Sequence, residues 1–220
     1  RQMYESLSYG VRIGQWELHF HDFKEIPSLY PPIEEQKLIS RYLDKKTEQI
    51  DRLVDKIQKK IELLKEQRTS LINQCVTKGL DPNVEMKDSG VEWIGEIPKH
   101  WVMKPIKYLV SMRGGGTPNT DTPEYWNGDI PWVSPKDMKF DVITSSEDYI
   151  TETGLSNSST TLIEKESLLI VFRSGILQRT IPIAINEVSV TLNQDMKSLT
   201  SKNRNFDIKY LFWFIKGCEK

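Results

Sequence analysis

Several short patterns contain residue types that enzymes use, but none has the spacing that catalysis requires. Gly114-Gly-Gly116 lacks the third glycine of a dinucleotide-binding loop, and no Gly-Lys-Ser/Thr triplet indicates a nucleotide-phosphate loop. Glu35-Gln-Lys37 and Glu85-Met-Lys87 are Glu-x-Lys pairs; such short matches arise by chance, and we interpret neither as a nuclease centre. His19 and His21 could hold a metal, although we favour two solvent-facing side chains. We predict no catalytic site and no metal site.

Two segments combine cations with small polar residues. Arg113 leads into Gly114-Gly-Gly-Thr117, which would place a guanidinium beside exposed backbone amides; a tight turn with an exposed arginine explains the pattern equally. Arg173-Ser-Gly175 follows an apolar run, and Gln178 and Arg179 come shortly after. Arginine and glutamine present the paired hydrogen-bonding groups that base edges and phosphates bind. An ion pair of Arg173 within the fold is the alternative, and the sequence leaves both interpretations open.

Two further polar segments are weaker candidates. Lys136, next to Pro135, is a candidate for phosphate contact. Asn193-Gln-Asp195 could reach a ligand, but a carboxylate beside a polyanion is costly. We therefore favour a structural role in which these side chains satisfy loop backbone groups. Six large side chains are expected in packed positions: Met103, Met112, Met138, Trp93, Trp101 and Trp132.

The element that must position these loops is a long helix. From about Glu34 to Thr77 the sequence has neither Pro nor Gly, and Pro31-Pro32 and Lys78-Gly79 supply a start and a stop. One heptad position is apolar throughout and its companion is mostly apolar, which is typical of a coiled coil. These predicted helix-pairing residues are Leu43, Ile50, Val54, Ile57, Ile61, Leu64 and Leu71, with Cys75 also apolar and Thr47 and Arg68 as polar members. The helix should be roughly 65 Å long, and its apolar stripe requires a partner helix.

The rest of the sequence predicts an α+β fold, a long coiled-coil-type helix followed by a β-rich domain. Trp16, Leu18 and Phe20 alternate with polar residues, which indicates a strand. Ile106 to Met112 fits either a helix or a strand. The clearer predicted elements of the β-rich part are strands at 130–133, 168–172, 181–185 and 188–192 and a helix at 207–216.

Composition narrows the class of protein. A net charge of −1 with 28% charged residues excludes a uniformly basic surface, so any nucleic-acid binding must use local positive charge or a partner must supply the rest. Cys75 and Cys218 lie far apart and suggest reduced thiols in a cytoplasmic protein. No apolar run reaches membrane-spanning length. The chain opens at Arg1 and closes soon after an apolar stretch, so we expect a fragment of a longer protein.

Several ordered motifs resemble the specificity subunits of Type I restriction-modification enzymes. Pro31-Pro-Ile-Glu-Glu-Gln-Lys37 with Tyr42-Leu-Asp-Lys-Lys-Thr47 resembles the beginning of their conserved spacer helix. Thr77-Lys-Gly-Leu-Asp-Pro-Asn83 and Gly90-Val-Glu-Trp-Ile-Gly-Glu-Ile-Pro98 are similar to the passage into the second target-recognition domain. The motifs similar to that domain itself are Gly115-Gly-Thr-Pro118, Tyr125-Trp126, Ile130-Pro-Trp132, Asn157-Ser-Ser159, Arg173-Ser-Gly-Ile-Leu177, Pro182-Ile-Ala-Ile185 and Asn193-Gln-Asp195.

The resemblance implies an architecture in which two recognition domains each contact half of a split DNA site and antiparallel helices set the gap. It divides this chain into the tail of the first recognition domain (1–30), the spacer helix (31–80), a linker (81–100) and a truncated second recognition domain (101–220). It makes eight residues candidates for DNA contact: Arg113, Gly115, Thr117, Lys136, Arg173, Ser174, Gln178 and Arg179.

The resemblance also implies the partners. They are double-stranded DNA, modification and restriction subunits, and a second long helix from the missing C-terminal part or from another chain. S-adenosylmethionine, ATP and magnesium are expected in the partner subunits, with no cofactor in this chain. This chain lacks an Asn-Pro-Pro-Tyr-like tetrapeptide, so a methyltransferase fragment is unsupported. The alternatives are a coiled-coil adaptor that binds protein, and a half-length specificity subunit that acts as a dimer.

Overall fold

The computed structural model describes the backbone of residues 9–12, 15–17 and 19–218, and the side chains of residues 19–21 and 23–218. The chain divides into two compact units, Arg1–Ile61 and Glu62–Lys220. A long helix and a β-rich region make up the chain, which confirms the predicted α+β class.

The first unit begins with a short hairpin. Strand β1 (Tyr9–Arg12) pairs antiparallel with β2 (Gln15–Glu17), and helix α1 (Phe20–Lys24) follows. The strand prediction was wrong for Phe20, which begins α1 and is 77% exposed. Leu18, which the prediction also included, lies outside the described residues. Three alternating apolar residues are too few to separate the period of a strand from that of a helix.

Helix α2 runs without interruption over Ile33–Lys78. Pro31 accepts a hydrogen bond from the side chain of Gln36 at 2.7 Å, and Glu34 and Glu35 in the first turn oppose the helix dipole. Gly79 ends the helix with a φ of +78° and donates its amide to the carbonyl of Cys75 at 3.1 Å, a left-handed cap. The predicted heptad positions therefore lie on one continuous helix.

The segment after α2 has its own structure. Strands β3 (Met86–Asp88) and β4 (Glu96–Pro98) form an antiparallel hairpin inside the predicted linker. Ile97 is 3% exposed and anchors this hairpin, whereas Trp93, which we predicted to be packed, is 58% exposed.

Two sheets form the β-rich domain. The strands of the first are β5 (Val110–Gly114), β7 (Val142–Ile143), β9 (Leu168–Val171), β10 (Ile183–Asn186) and β12 (Met196–Ser201). They lie in the order β5-β12-β9-β10-β7, all antiparallel except the parallel pair of β10 and β7. The second has the order β11-β6-β8, with strands β6 (Trp126–Val133), β8 (Asp148–Ile150) and β11 (Thr191–Leu192). The remaining helices are α3 (Glu152–Ser156), α4 (Ile208–Cys218) and four short 3-10 helices at Ile106–Tyr108, Pro123–Tyr125, Pro135–Asp137 and Gly175–Gln178.

Strands β9 and β10, in the interior of the five-stranded sheet, are buried on both faces. Alternate residues of β9 point to opposite sides, so Leu169 packs with Val133 and Leu192 of the second sheet, while Leu168 packs with Phe212 of α4. This double burial explains why β9 and β10 are nearly continuous apolar runs in the sequence. The ambiguous segment 106–112 contains both elements, a 3-10 helix followed by β5.

The C-terminal part of α2 packs against α4 within the second unit. Asn73 donates its side-chain amide to the carbonyl of Gly217 at 2.8 Å, and the hydroxyl of Tyr210 donates to the carbonyl of Val76 at 3.3 Å. Arg68 was predicted as a polar member of the pairing stripe. It instead forms an ion pair with Asp141, with its Nη2 atom 3.4 Å from Oδ2 of the carboxylate. This end of the helix is thereby attached to the β-rich domain.

Candidate nucleic-acid interface

The candidate residues are organised by one tight turn, which we call the Asn193 turn (residues 193–196). The amide of Met196 donates to the carbonyl of Asn193 at 3.2 Å, and the amide of Asp195 donates to the Asn193 side chain at 3.0 Å. Asn193 is 7% exposed, and its own amide is bonded to the carbonyl of Val133 in the core. The structural role that we predicted for Asn193 is confirmed, and the turn is rigidly placed.

A second segment, the glycine loop (residues 114–117), is fastened to this turn. The amide of Gly115 donates to the carbonyl of Met196 at 3.3 Å, and that of Gly116 donates to Leu192 at 2.8 Å. A Cβ on Gly115 would stand 2.1 Å from the Asn193 carbonyl oxygen, so only glycine fits. The prediction of exposed amides was wrong at these two positions, because the turn accepts one of the two protons and the end of β11 accepts the other.

Thr117 at the end of the glycine loop and Arg113 just before the loop differ in their surroundings. The hydroxyl of Thr117 donates a hydrogen bond to the side-chain oxygen of Gln194 in the Asn193 turn. Arg113 lies on β5 opposite Ser198, and its side chain is exposed. Among the side chains that the structure describes, none forms an ion pair with Arg113. Arg113 therefore keeps its full positive charge at the surface.

The third segment, the Arg173 loop (residues 172–179), is exposed along its whole length. The guanidinium Nε of Arg173 donates to Oδ1 of Asp195 at 2.5 Å, while 75% of the Arg173 side chain remains exposed. The amides of Phe172 and Arg173 both donate to the carbonyl of Asp195, at 2.8 and 3.2 Å. The ion-pair interpretation of Arg173 is thus present in the structure, yet the guanidinium still faces solvent.

The far side of the Arg173 loop is a 3-10 helix that carries the other candidates. The hydroxyl of Ser174 accepts a hydrogen bond from the amide of Ile176 at 3.4 Å, as a helix-capping serine does. Gln178 ends the helix and Arg179 follows it, and both side chains are exposed. Their accessibility suits ligand contact, while Ser174 is occupied in shaping the loop.

Lys136 belongs to none of these three segments. It lies on the 3-10 helix Pro135–Asp137, with its Nζ 2.8 Å from Asp148 and 3.4 Å from Glu147. The hydrogen bond to Asp148 is the main reason that the pKa of Lys136 is raised. Two carboxylates compensate its charge, so it is the weakest of the predicted phosphate contacts.

Sequence reasoning missed Lys197, and for Gln194 and Asp195 it favoured a structural role over ligand contact. Gln194 is exposed beside Thr117, and Asp195 holds Arg173. Lys197 has its ammonium 5.7 Å from the ring centre of Phe172, within the range of a cation–π contact. A run of polar residues directly after an apolar strand was the available signal.

The predicted helix-pairing residues are all exposed. Their exposed fractions lie between 41% and 59% for Leu43, Ile50, Val54, Ile57, Ile61, Leu64 and Leu71. An apolar stripe of this kind on a helix is a surface for association.

No group of three or more His, Cys, Asp or Glu side chains among the described residues could hold a metal ion. None of the helices described is long and apolar enough to cross a membrane.

Solved structures share this fold. One is a chain of a type I R-M system, with a TM-score of 0.57 and 13% identity, over 86% of this chain and 42% of that chain. Another is the HsdS subunit from Thermoanaerobacter tengcongensis, with a TM-score of 0.51 and 14% identity, over 100% of this chain and 51% of that chain. The long helix joined to a β-rich domain is thus a fold that this chain shares with both structures.

Residues 98–220 match the Type I restriction modification DNA specificity domain, and the chain belongs to that family. It is 44% identical over 138 residues to the EcoR124I/EcoR124II specificity subunit of Escherichia coli. It is 35% identical over 126 residues to the MjaIX specificity subunit of Methanocaldococcus jannaschii. The matches cover 61% and 56% of this chain but only 31% and 28% of those relatives, so the matching segment is less than a third of their length.

Proposed function

We propose that this chain recognises a DNA sequence on behalf of a Type I restriction-modification enzyme. The observation that carries the proposal is that the glycine loop, the Asn193 turn and the Arg173 loop join within the residues that match the specificity family. They bring Arg113 and Arg179, two exposed arginines with no ion pair among the described residues, together with Arg173 into one hydrogen-bonded assembly of loops. Such a local cluster is what a chain with a net charge of −1 needs in order to bind a polyanion.

We assign separate tasks to the candidate residues. Arg113, Arg179 and, more weakly, Lys136 contact phosphates and fix the position of the domain on the duplex. Arg173 and Gln178 reach base edges, where paired donors and acceptors distinguish base pairs. Gly115, Thr117 and Ser174 shape the loops around them.

We further propose that the chain is a noncatalytic part of a larger assembly. The exposed stripe on α2 pairs with a second long helix, from a further part of a longer protein or from another chain. Modification and restriction subunits join this assembly and supply S-adenosylmethionine, ATP and magnesium. The assembly acts on DNA in the cytoplasm.

Salt-dependent DNA binding tests the proposal. Fluorescence anisotropy with a labelled random-sequence duplex should give an affinity whose logarithm falls linearly with the logarithm of salt concentration. The double variant Arg113→Ala/Arg179→Ala should bind more weakly with a shallower slope. Lys59→Ala/Lys65→Ala, two exposed cations on α2, is the matched control and should bind like the original chain.

The same experiment separates the alternative functions. A coiled-coil adaptor would show no salt-dependent DNA affinity, and that result would overturn the proposal. With a purified modification subunit added, mapping of methylated adenines should give one recurring sequence. Methylation at random positions would contradict a specificity role.

A further inference from the structure

We infer that Arg173 reads a guanine and that Asp195 is the positioning residue that aims it, because Asp195 bonds both the side chain and the backbone amide of Arg173. This inference rests on the proposed function and deepens it, since it names a base pair and a mechanism for selecting it.

Hydrogen bonds connect the Arg173–Asp195 pair to the core. Asp195 accepts the Nε proton of Arg173 through Oδ1 at 2.5 Å and the Arg173 amide through its carbonyl at 3.2 Å. Asp195 is itself held by Asn193, which is 7% exposed and bonded to the carbonyl of Val133 in the core. A chain of bonds therefore runs from the core to the guanidinium. An arginine held in this way loses less side-chain entropy when it binds.

The bond to Asp195 leaves the terminal Nη edge of the Arg173 guanidinium open. A guanidinium has five donors on a planar fork, and Asp195 occupies the one on Nε. Within the described part of the chain the Nη atoms of Arg173 have no hydrogen-bond partner, and 75% of the side chain is exposed. The terminal pair of Nη donors matches the adjacent O6 and N7 acceptors of guanine in the major groove.

The charge of the Arg173–Asp195 pair favours a base over a phosphate as the ligand of Arg173. The Arg173–Asp195 pair has no net charge, so it gains little from a phosphate, and the carboxylate repels one. A neutral base edge avoids that repulsion while using the same directional donors. Arg179 is exposed and has no ion pair among the described residues, so it keeps the charge that a phosphate contact uses. The structure thus divides two nearby arginines between the two tasks.

Selection from a randomised duplex library, followed by sequencing, tests the inference with the full 220-residue chain, alone and with a modification subunit. Asp195→Ala and Arg173→Lys should each lower the preference for guanine at one and the same position by about 10- to 100-fold. Affinity for unrelated DNA should stay the same or rise for Asp195→Ala, because a negative charge has been removed. Arg179→Ala should weaken binding to all sequences without changing the preferred one.

Two variants serve as controls. Glu85→Ala removes an exposed carboxylate that is 2.7 Å from Lys99 in the β3–β4 hairpin, and it should change neither affinity nor preference. Asp195→Asn keeps an oxygen that can accept the Nε proton, so it should restore much of the guanine preference that Asp195→Ala loses. A purely structural role of Asp195 would instead lower the thermal midpoint and binding to every sequence together.

Each outcome gives a decision. An unchanged guanine preference in Asp195→Ala, a change at an A·T position, or joint loss of stability and all binding overturns the inference. If the original chain binds DNA without sequence preference, the inference fails while DNA binding stands. If it does not bind DNA at all, the proposed function fails as well.

Discussion

The side-chain amide of Asn73 and the carbonyl of Gly217 are joined by a 2.8 Å hydrogen bond, so the last turns of α2 lie directly against the end of α4. A Cβ placed on Gly217 would stand 2.8 Å from a methyl group of Val76 and 3.3 Å from the Cα of Asn73. Close approach of the two helices therefore depends on the absence of a side chain at residue 217. This junction connects the helix to the domain that carries the candidate interface.

Gly217→Val should lower the free energy of unfolding of the second unit by about 1–3 kcal/mol, because the added side chain overpacks the junction. Urea denaturation followed by tryptophan fluorescence measures it. Gly175→Ala is the control, since a Cβ there meets no atom within 4 Å and should change stability by less than about 0.5 kcal/mol. Equal stability of the two variants would show that the helices are not closely packed at Gly217.

Ile57→Asp should abolish pairing through the α2 stripe, because a charge would be buried without a partner between two helices. Ile57 is 50% exposed in the chain alone, so the single chain itself should remain folded. Sedimentation velocity, with and without the partner that supplies the second helix, measures the assembly. Lys59→Asp, on the polar face, is the matched control; if Ile57→Asp assembles as well as this control, the stripe is not the pairing surface.

Arg113→Ala should weaken DNA binding at all sequences and lower the salt slope by about 1, whereas Lys136→Ala should have a much smaller effect. The reason is that Asp148 and Glu147 already compensate the charge of Lys136. Asp148→Asn should consequently raise DNA affinity by releasing Lys136. Anisotropy titrations over a range of salt concentrations measure all three, and an equal loss for the two cation variants would refute the ranking.

The junction should also weaken at alkaline pH. Burial raises the pKa of the Tyr210 phenol, with a smaller contribution from nearby Cys218. The folded chain therefore holds this proton more tightly than the unfolded chain. The stability contribution is complete below the unfolded pKa of about 10 and is lost as pH rises through the higher folded value.

Urea denaturation at pH 8 and pH 11 measures that loss. Tyr210→Phe should lose less stability over this interval than the original chain, because the phenylalanine does not titrate. Tyr30→Phe removes a tyrosine that is 94% exposed and should lose as much stability as the original chain. Equal losses in all three chains would argue against any contribution from Tyr210.

Local sequence patterns predicted the regular elements well where the period was long. Five heptads without Pro or Gly specify one helix, and the signals at Pro31 and Gly79 lie within two residues of its ends. Apolar runs likewise located β9 and β10. Prediction failed where the pattern was short, as at Phe20, or where burial depends on distant neighbours: Met112 is 56% exposed on an edge strand, although we expected it in the core.

The sequence by itself determined the helix, its apolar stripe, the α+β class and the identity of the basic loops, because periodicity and turn residues act between near neighbours along the chain. Only the tertiary structure decided which loops meet. Thr117 and Gln194 are 77 residues apart, and Arg173 and Asp195 are 22 apart. The order of strands β5, β12 and β9 brings them together, and that order follows from burying both faces of the sheet rather than from any local pattern.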